Sequence, residues 1–289
     1  MPSLVLSGIL LGTGGLTGTL LHRAAGLSPV AVAAYRLTVG GVLIVLFLVL
    51  AGRRLPRGTA AWSRITLVGL LTAGYQACFF GSVALTSVSL ATLVTIGTAP
   101  VLVLAAEWSL RWRPVDRRMA AAMCLALTGL VLLVGRPGHA GPVAAGVGLA
   151  LASAVGFAAV TLVGSRPVPG LSALDTIGFA FTVGGLALLP VAGSTVGLGF
   201  RPGPTALVLL LALGTGPTAF AYTLYFRGLR AAGAGTGAVL VLLEPLTGAV
   251  LAALVLGDRL GTTGTVGGLV LGVAVALAAT RPVTPVAAR

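Results

Sequence analysis

Residues 239–256 read VLVLLEPLTGAVLAALVL, a run with a single ionisable group, Glu244, next to a proline, Pro245. A stretch this long and this apolar is on the scale of a bilayer crossing, which takes roughly 20 apolar residues at 1.5 Å rise each. The rest of the chain is built the same way. Of 289 residues, 57% are hydrophobic and 8% charged, and the mean hydropathy is +1.10. That inventory leaves too few charges to cover a water-soluble surface, so the bilayer is the solvent for most of the chain. The run lengths and the absence of period-two alternation call for helices rather than barrel strands. All 18 basic residues are arginines and the formal charge is +13. No arginine cluster carries the aromatic interleaving of a nucleic-acid binder, so no nucleic-acid partner is expected and basic loops of a membrane protein account for the charge.

Breaks at arginine, proline and glycine clusters divide the chain into ten spans: 4–21, 29–51, 64–85, 88–110, 118–135, 143–165, 172–193, 204–226, 233–256 and 262–280. One face then collects Arg53, Arg54, Arg57, Arg64, Arg111, Arg113, Arg117, Arg118, Arg166, Arg227, Arg230, Arg281 and Arg289. The other holds only Arg23, Arg136, Arg201 and Arg259, with Arg36 inside a span. By the positive-inside rule the first face and both termini are cytoplasmic. Trp62, Trp108 and Trp112 fall at span ends on that face, where amphipathic rings anchor to the interface. The N-terminus MPSLVLSG has no basic residue and reads as the start of a span, not as a cleaved signal.

The two halves resemble each other. ALTSVSLATLVTIGTAPVLVLAAEWSL (84–110) and GLRAAGAGTGAVLVLLEPLTGAVLAALVLGDRL (228–260) each follow an aromatic segment, YQACFFG from Tyr75 and YTLYFRG from Tyr222. Each has a polar hinge, a half-span of small residues, a proline (Pro100, Pro245) and a second apolar half. Five spans per half is odd, so the halves enter the membrane in opposite directions, the architecture of secondary transporters. On these segments, together with GLSPVAVAAYRL in span 2, the chain is similar over nearly its whole length to ten-span EamA-type members of the drug/metabolite transporter superfamily. One departure is Arg113, which stands where the second half has Asp258 and where that family usually places an acid. The resemblance implies an all-α membrane protein of two inverted five-helix repeats, 3–135 and 143–280, with 281–289 as a short cytoplasmic tail. It also implies movement of small metabolites, amino acids first, across the cytoplasmic (inner) membrane.

Glu244 lies about 16 Å deep in its span. An ionised carboxylate facing lipid there is costly, so it should face a cavity or a cationic partner, as a substrate or proton site, or pack protonated against a neighbouring helix. The equivalent place in span 4 is Ala99, so repeat symmetry does not demand an acid. Arg36, about 10 Å below the outer surface, either snorkels outward or fixes a carboxylate, the substrate's or that of Glu244. Tyr222 and Tyr225 share a face of span 8 with Phe226; Tyr75 and Gln76 share one of span 3 with Phe79 and Phe80. These stripes are either packing or cavity wall. Thr95 is a weaker lining candidate, since its hydroxyl can bond back to its own helix. Pro100 and Pro245 are candidate kinks. Glu107, four residues before Arg111, reads as a solvated interfacial pair. The ridges Gly8/Gly12 and Gly264/Gly268/Gly272 read as close helix packing within one bundle, which favours a monomer over a dimer.

Enzyme chemistry is excluded by inventory. Only five acids exist, no phosphate-binding glycine loop is present, and Cys78, Cys124, His22 and His139 show no metal-ligand spacing. No cofactor and no metal are expected; the expected partners are a small-molecule substrate, the lipid bilayer and protons as coupling ion. The expected activity is alternating-access transport, directed outward. A passive facilitator and a non-transporting scaffold are the rivals.

Overall fold

The computed structural model describes residues 1–111, 117–134, 143–195, 197–256 and 261–280. Trp112, Arg113, Asp116, Arg136, His139, Asp258, Arg259, Arg281, Arg289 and the 281–289 tail lie outside the described residues. Among the described residues, ten apolar helices long enough to cross a membrane follow in order: α1 (Pro2–Ala25), α2 (Pro29–Leu50), α3 (Thr59–Leu85), α4 (Val88–Ser109), α5 (Arg117–Val134), α6 (Val143–Ser165), α7 (Ala173–Thr195), α8 (Pro204–Ala232), α9 (Ala234–Val255) and α10 (Thr262–Ala279). α3 starts earlier and α8 ends later than the apolar runs suggest. Arginine stems tolerate the interface, so Arg64, Arg227 and Arg230 are helical rather than in loops.

Local chemistry sets the ends. Ser28 Oγ accepts from the Ala31 amide at 3.2 Å with Pro29 as the first helical residue of α2, and Ser87 Oγ accepts from the Leu90 amide at 3.1 Å to start α4. At the start of α7 the Asp175 carboxylate accepts from the Ser172 amide at 3.0 Å while Ser172 Oγ accepts from the Asp175 amide at 3.1 Å. That reciprocal pair is a capping box. α8 widens to π-helical turns over Gly214–Phe220 around Pro217, where the Thr218 hydroxyl caps the Leu213 carbonyl at 2.7 Å. α9 breaks at Val241–Leu242, immediately before Glu244 and Pro245.

The inverted repeat is visible at residue level. TVGG occurs at 38–41 in α2 and again at 182–185 in α7. A Cβ on Gly41 would run into Thr182, and one on Gly185 into Thr38. Equivalent residues therefore meet in exchanged, antiparallel order, which requires the two repeats to be inverted about an axis passing between α2 and α7. α5 and α10 repeat the pattern, Gly129 lying on Gly267 and Leu271 while Gly267 lies on Leu133. Exchanging the repeats also maps the remaining contacts onto one another: α3 on α6 becomes α8 on α1, and α4 on α6 becomes α9 on α1. Glycine makes this possible by letting backbones touch. The tight approach on α10 is at Gly267; Gly268 and Gly272 only graze Leu246 of α9. Gly8 and Gly12 seat α1 against Leu243 and the Glu244 carbonyl of α9.

Leu46, Phe47, Val208, Phe220, Leu254 and Leu269 are exposed around the perimeter, as a lipid-facing belt requires. Trp108 and Trp62 stand out from the arginine-rich edge, Trp62 in an edge-to-face contact with Phe179 at 5.5 Å.

Candidate functional site

A cavity of about 400 Å³ lies between the repeats. Its deep end is formed by Tyr75 and Gln76 of α3, Tyr222 of α8, Glu244 and Pro245 of α9, and Arg36 of α2. Its mouth is formed by Thr19 and His22 at the end of α1, Pro29 at the start of α2 and Val88 at the start of α4. All four mouth residues belong to helix ends on the arginine-poor face, so the cavity runs from mid-membrane to that face.

The break in α9 explains the position of Glu244. Pro245 has no amide hydrogen to give the Val241 carbonyl, so the helix breaks at Val241–Leu242 and that carbonyl accepts from the Glu244 amide instead, at 2.8 Å. Glu244 is half-buried on the cavity wall, about 15 Å along α9 from its first residue. Arg36, from the other repeat, lies close enough for its charge to act on Glu244, Tyr222 and Tyr75. It does not snorkel: its Nε is buried and has no hydrogen-bond partner within the protein. Gln76 Nε2 is likewise buried without a partner. Two orphan donors therefore share the cavity with one carboxylate, beside the rings of Tyr75, Tyr222 and Phe157.

The rings hold one another. The Tyr75 and Tyr222 hydroxyls are hydrogen-bonded at 2.8 Å. Tyr75 meets Phe157 edge-on at 5.5 Å, and Tyr222 meets Phe181 at 4.8 Å. Ser153 of α6 donates to the Tyr75 carbonyl at 2.9 Å. Thr95 lines the cavity, but its hydroxyl donates to Ala150 of α6 at 3.1 Å, tying two helices together instead of bonding back to α4. Tyr225 stands behind the wall, bonded to Thr161 at 3.0 Å and outside the cavity lining. Pro100 is buried in an unbroken α4 and also lies outside the lining, unlike its counterpart Pro245.

Sequence reasoning missed Ser153 and Phe157, which come from α6 and complete the cavity wall. One mid-span serine and one phenylalanine in a span of small residues were the available signal. His22 is exposed at the mouth with Nδ1 2.5 Å from the Leu27 carbonyl. Glu107 is not solvated: it is buried and accepts from the Gly235 amide at 3.1 Å. No metal-binding cluster exists among the described residues.

The family model described as the EamA-like transporter family matches this chain twice, over residues 2–135 and 144–280. The chain is 30% identical over 255 residues to "Uncharacterized transporter YwfM" of Bacillus subtilis (strain 168), covering 88% of this chain and 85% of that protein. It is 25% identical over 276 residues to "Uncharacterized inner membrane transporter YicL" of Salmonella typhimurium (strain LT2), covering 91% of both. A solved crystal structure of another protein superposes with a TM-score of 0.78 over 95% of this chain and 94% of its own, at 20% identity, a likeness of fold alone.

Proposed function

The chain belongs to the EamA-like transporter family, and from that premise we propose that it is a secondary transporter of the bacterial inner membrane that moves small zwitterionic metabolites, amino acids foremost, outward by alternating access. Being a multi-pass membrane transporter rather than an enzyme, it needs a site that binds and releases rather than reacts. The observation that carries the proposal is that Arg36 and Glu244, from different repeats, line one cavity close enough for their charges to interact. Arg36 takes a substrate carboxylate, which a guanidinium matches in geometry and charge. Gln76 Nε2 supplies a second donor. Glu244 takes the substrate ammonium group or, when the site is empty, a proton. Tyr75, Tyr222 and Phe157 hold the apolar part.

Residues 3–135 and 143–280 are the rocking halves, and 281–289 a cytoplasmic tail. The arginine-rich face is cytoplasmic, which makes the cavity as seen here open to the outside. Ligand bound to the folded state raises apparent stability, so a thermal-shift screen of the purified protein tests the substrate class. Amino acids should raise the midpoint, while the matching amines and carboxylic acids, each lacking one charge, should do so less. Equal response to all three would remove the zwitterion from the proposal.

A further inference from the structure

The two ends of the cavity are unequal, and the inequality singles out Glu107. Repeat symmetry, with Pro100 matched to Pro245, pairs the C-terminal half of α4 against the N-terminal half of α9 on the arginine-rich face. On the arginine-poor face it pairs the N-terminal half of α4 with the C-terminal half of α9. The second junction is parted: Val88, Thr92, Thr95 and Ile96 of α4 all line the open cavity. The first is shut. Val103 of α4 packs with Ala234 and Ala238 of α9 and Ala158 of α6 in a separate apolar cluster. Beyond that plug the buried Glu107 carboxylate accepts from the Gly235 amide at 3.1 Å. Gly233, at φ 91°, turns the chain into α9 so that this amide points at α4. A Cβ on Gly235 would strike the Glu107 carboxylate and Leu104, so a side chain there has to push the Glu107 carboxylate away from the amide. The symmetry-related place of Glu107 in α9 is Ala252, so the open junction has no matching acid.

We propose that the Glu107 carboxylate on the Gly235 amide is the latch of the arginine-rich gate, made while the cavity opens to the other face and broken when it opens to this one. This rests on the alternating-access reading above. A hydrogen bond to a charged group is stronger than a neutral one, so the latch biases the protein toward the state seen here. Neither Glu107 nor Gly235 lines the cavity, so loss of the latch shifts the balance of states without removing the binding site.

The test uses the full chain in lipid nanodiscs, with Cys78 and Cys124 replaced and two spin-label pairs measured by pulsed electron resonance. Ser109 with Ala231 spans the arginine-rich gate; Arg23 with Val88 spans the opposite mouth. In the otherwise unaltered protein both pairs should show a major and a minor distance. Glu107→Ala should enrich the long Ser109–Ala231 distance by about tenfold and shorten Arg23–Val88 in step. Glu107→Gln, which keeps the shape and a neutral acceptor, should fall between, and Gly235→Ala should shift in the same direction as Glu107→Ala. Two distances unchanged in population across all three variants would overturn the latch while leaving alternating access standing. A single fixed distance for both pairs in every protein would overturn alternating access and the latch with it.

Discussion

Tyr75 and Tyr222 occupy the same place in the two repeats, each opening its aromatic segment, and their hydroxyls bond to each other at 2.8 Å. Two symmetry-equivalent side chains can touch only on the symmetry axis, so this bond marks where the axis crosses the floor of the cavity. It ties α3 to α8, the helices that carry most of the aromatic wall. A bond between buried neutral hydroxyls contributes about 1 kcal/mol. Tyr75→Phe and Tyr222→Phe should each lower stability, and the double variant should cost less than their sum by about 1 kcal/mol, the signature of a direct partner. Thermal or denaturant unfolding in one detergent measures the cycle; strict additivity would mean the two hydroxyls do not share a bond.

The exchanged glycines set the second expectation. Gly41 and Gly185 have no room for a Cβ against Thr182 and Thr38, whereas Gly148 in α6 has nothing within 4 Å of the same position. Gly41→Ala and Gly185→Ala should each destabilise by about 1–3 kcal/mol through overpacking. Gly148→Ala should be neutral or slightly stabilising by helix propensity. Melting midpoints of the three purified variants decide it, and similar behaviour of all three would contradict the α2–α7 register.

Orientation follows from the loops. Arg57, in the loop between α2 and α3, should resist a membrane-impermeant thiol reagent applied to intact cells when replaced by cysteine in a Cys78- and Cys124-free background. Cysteine in place of the exposed Arg23 at the opposite face should react. The reverse pattern would turn the protein over and make the cavity face the cytoplasm.

Much of this was legible in the sequence because the bilayer leaves so few choices. Uninterrupted apolar length places ten helices to within a few residues, and the odd number of spans per repeat forces their inversion. The depth of Glu244 and the polar aromatics near Tyr75 and Tyr222 pointed to one cavity, and those groups do line it. What failed were inferences about which side of a helix a residue presents. Tyr225 and Tyr222 lie one turn apart, yet Tyr225 turns toward α6, where its hydroxyl bonds Thr161, and so stands behind the wall. Glu107 looked solvated from its position beside Trp108, because nothing local reveals that the start of α9, far along the chain, arrives on top of it. The TVGG pair was present in the sequence but is too short to be telling until the helices are seen to cross there.

The central claim is that Glu244 and Arg36 together bind and couple the substrate. The measurement is accumulation of a radiolabelled amino-acid mixture in proteoliposomes, with and without an imposed pH gradient, normalised to folded protein. Glu244→Gln preserves shape and hydrogen bonding but not charge. It should insert and fold as the parent does, yet lose gradient-driven accumulation by about tenfold or more, the factor that goes with one lost interaction of about 1.4 kcal/mol. Arg36→Gln should weaken uptake at low substrate concentration by a similar factor. Accumulation at the parent level by Glu244→Gln, with the same response to the pH gradient, would contradict the account and leave Glu244 as a packing residue.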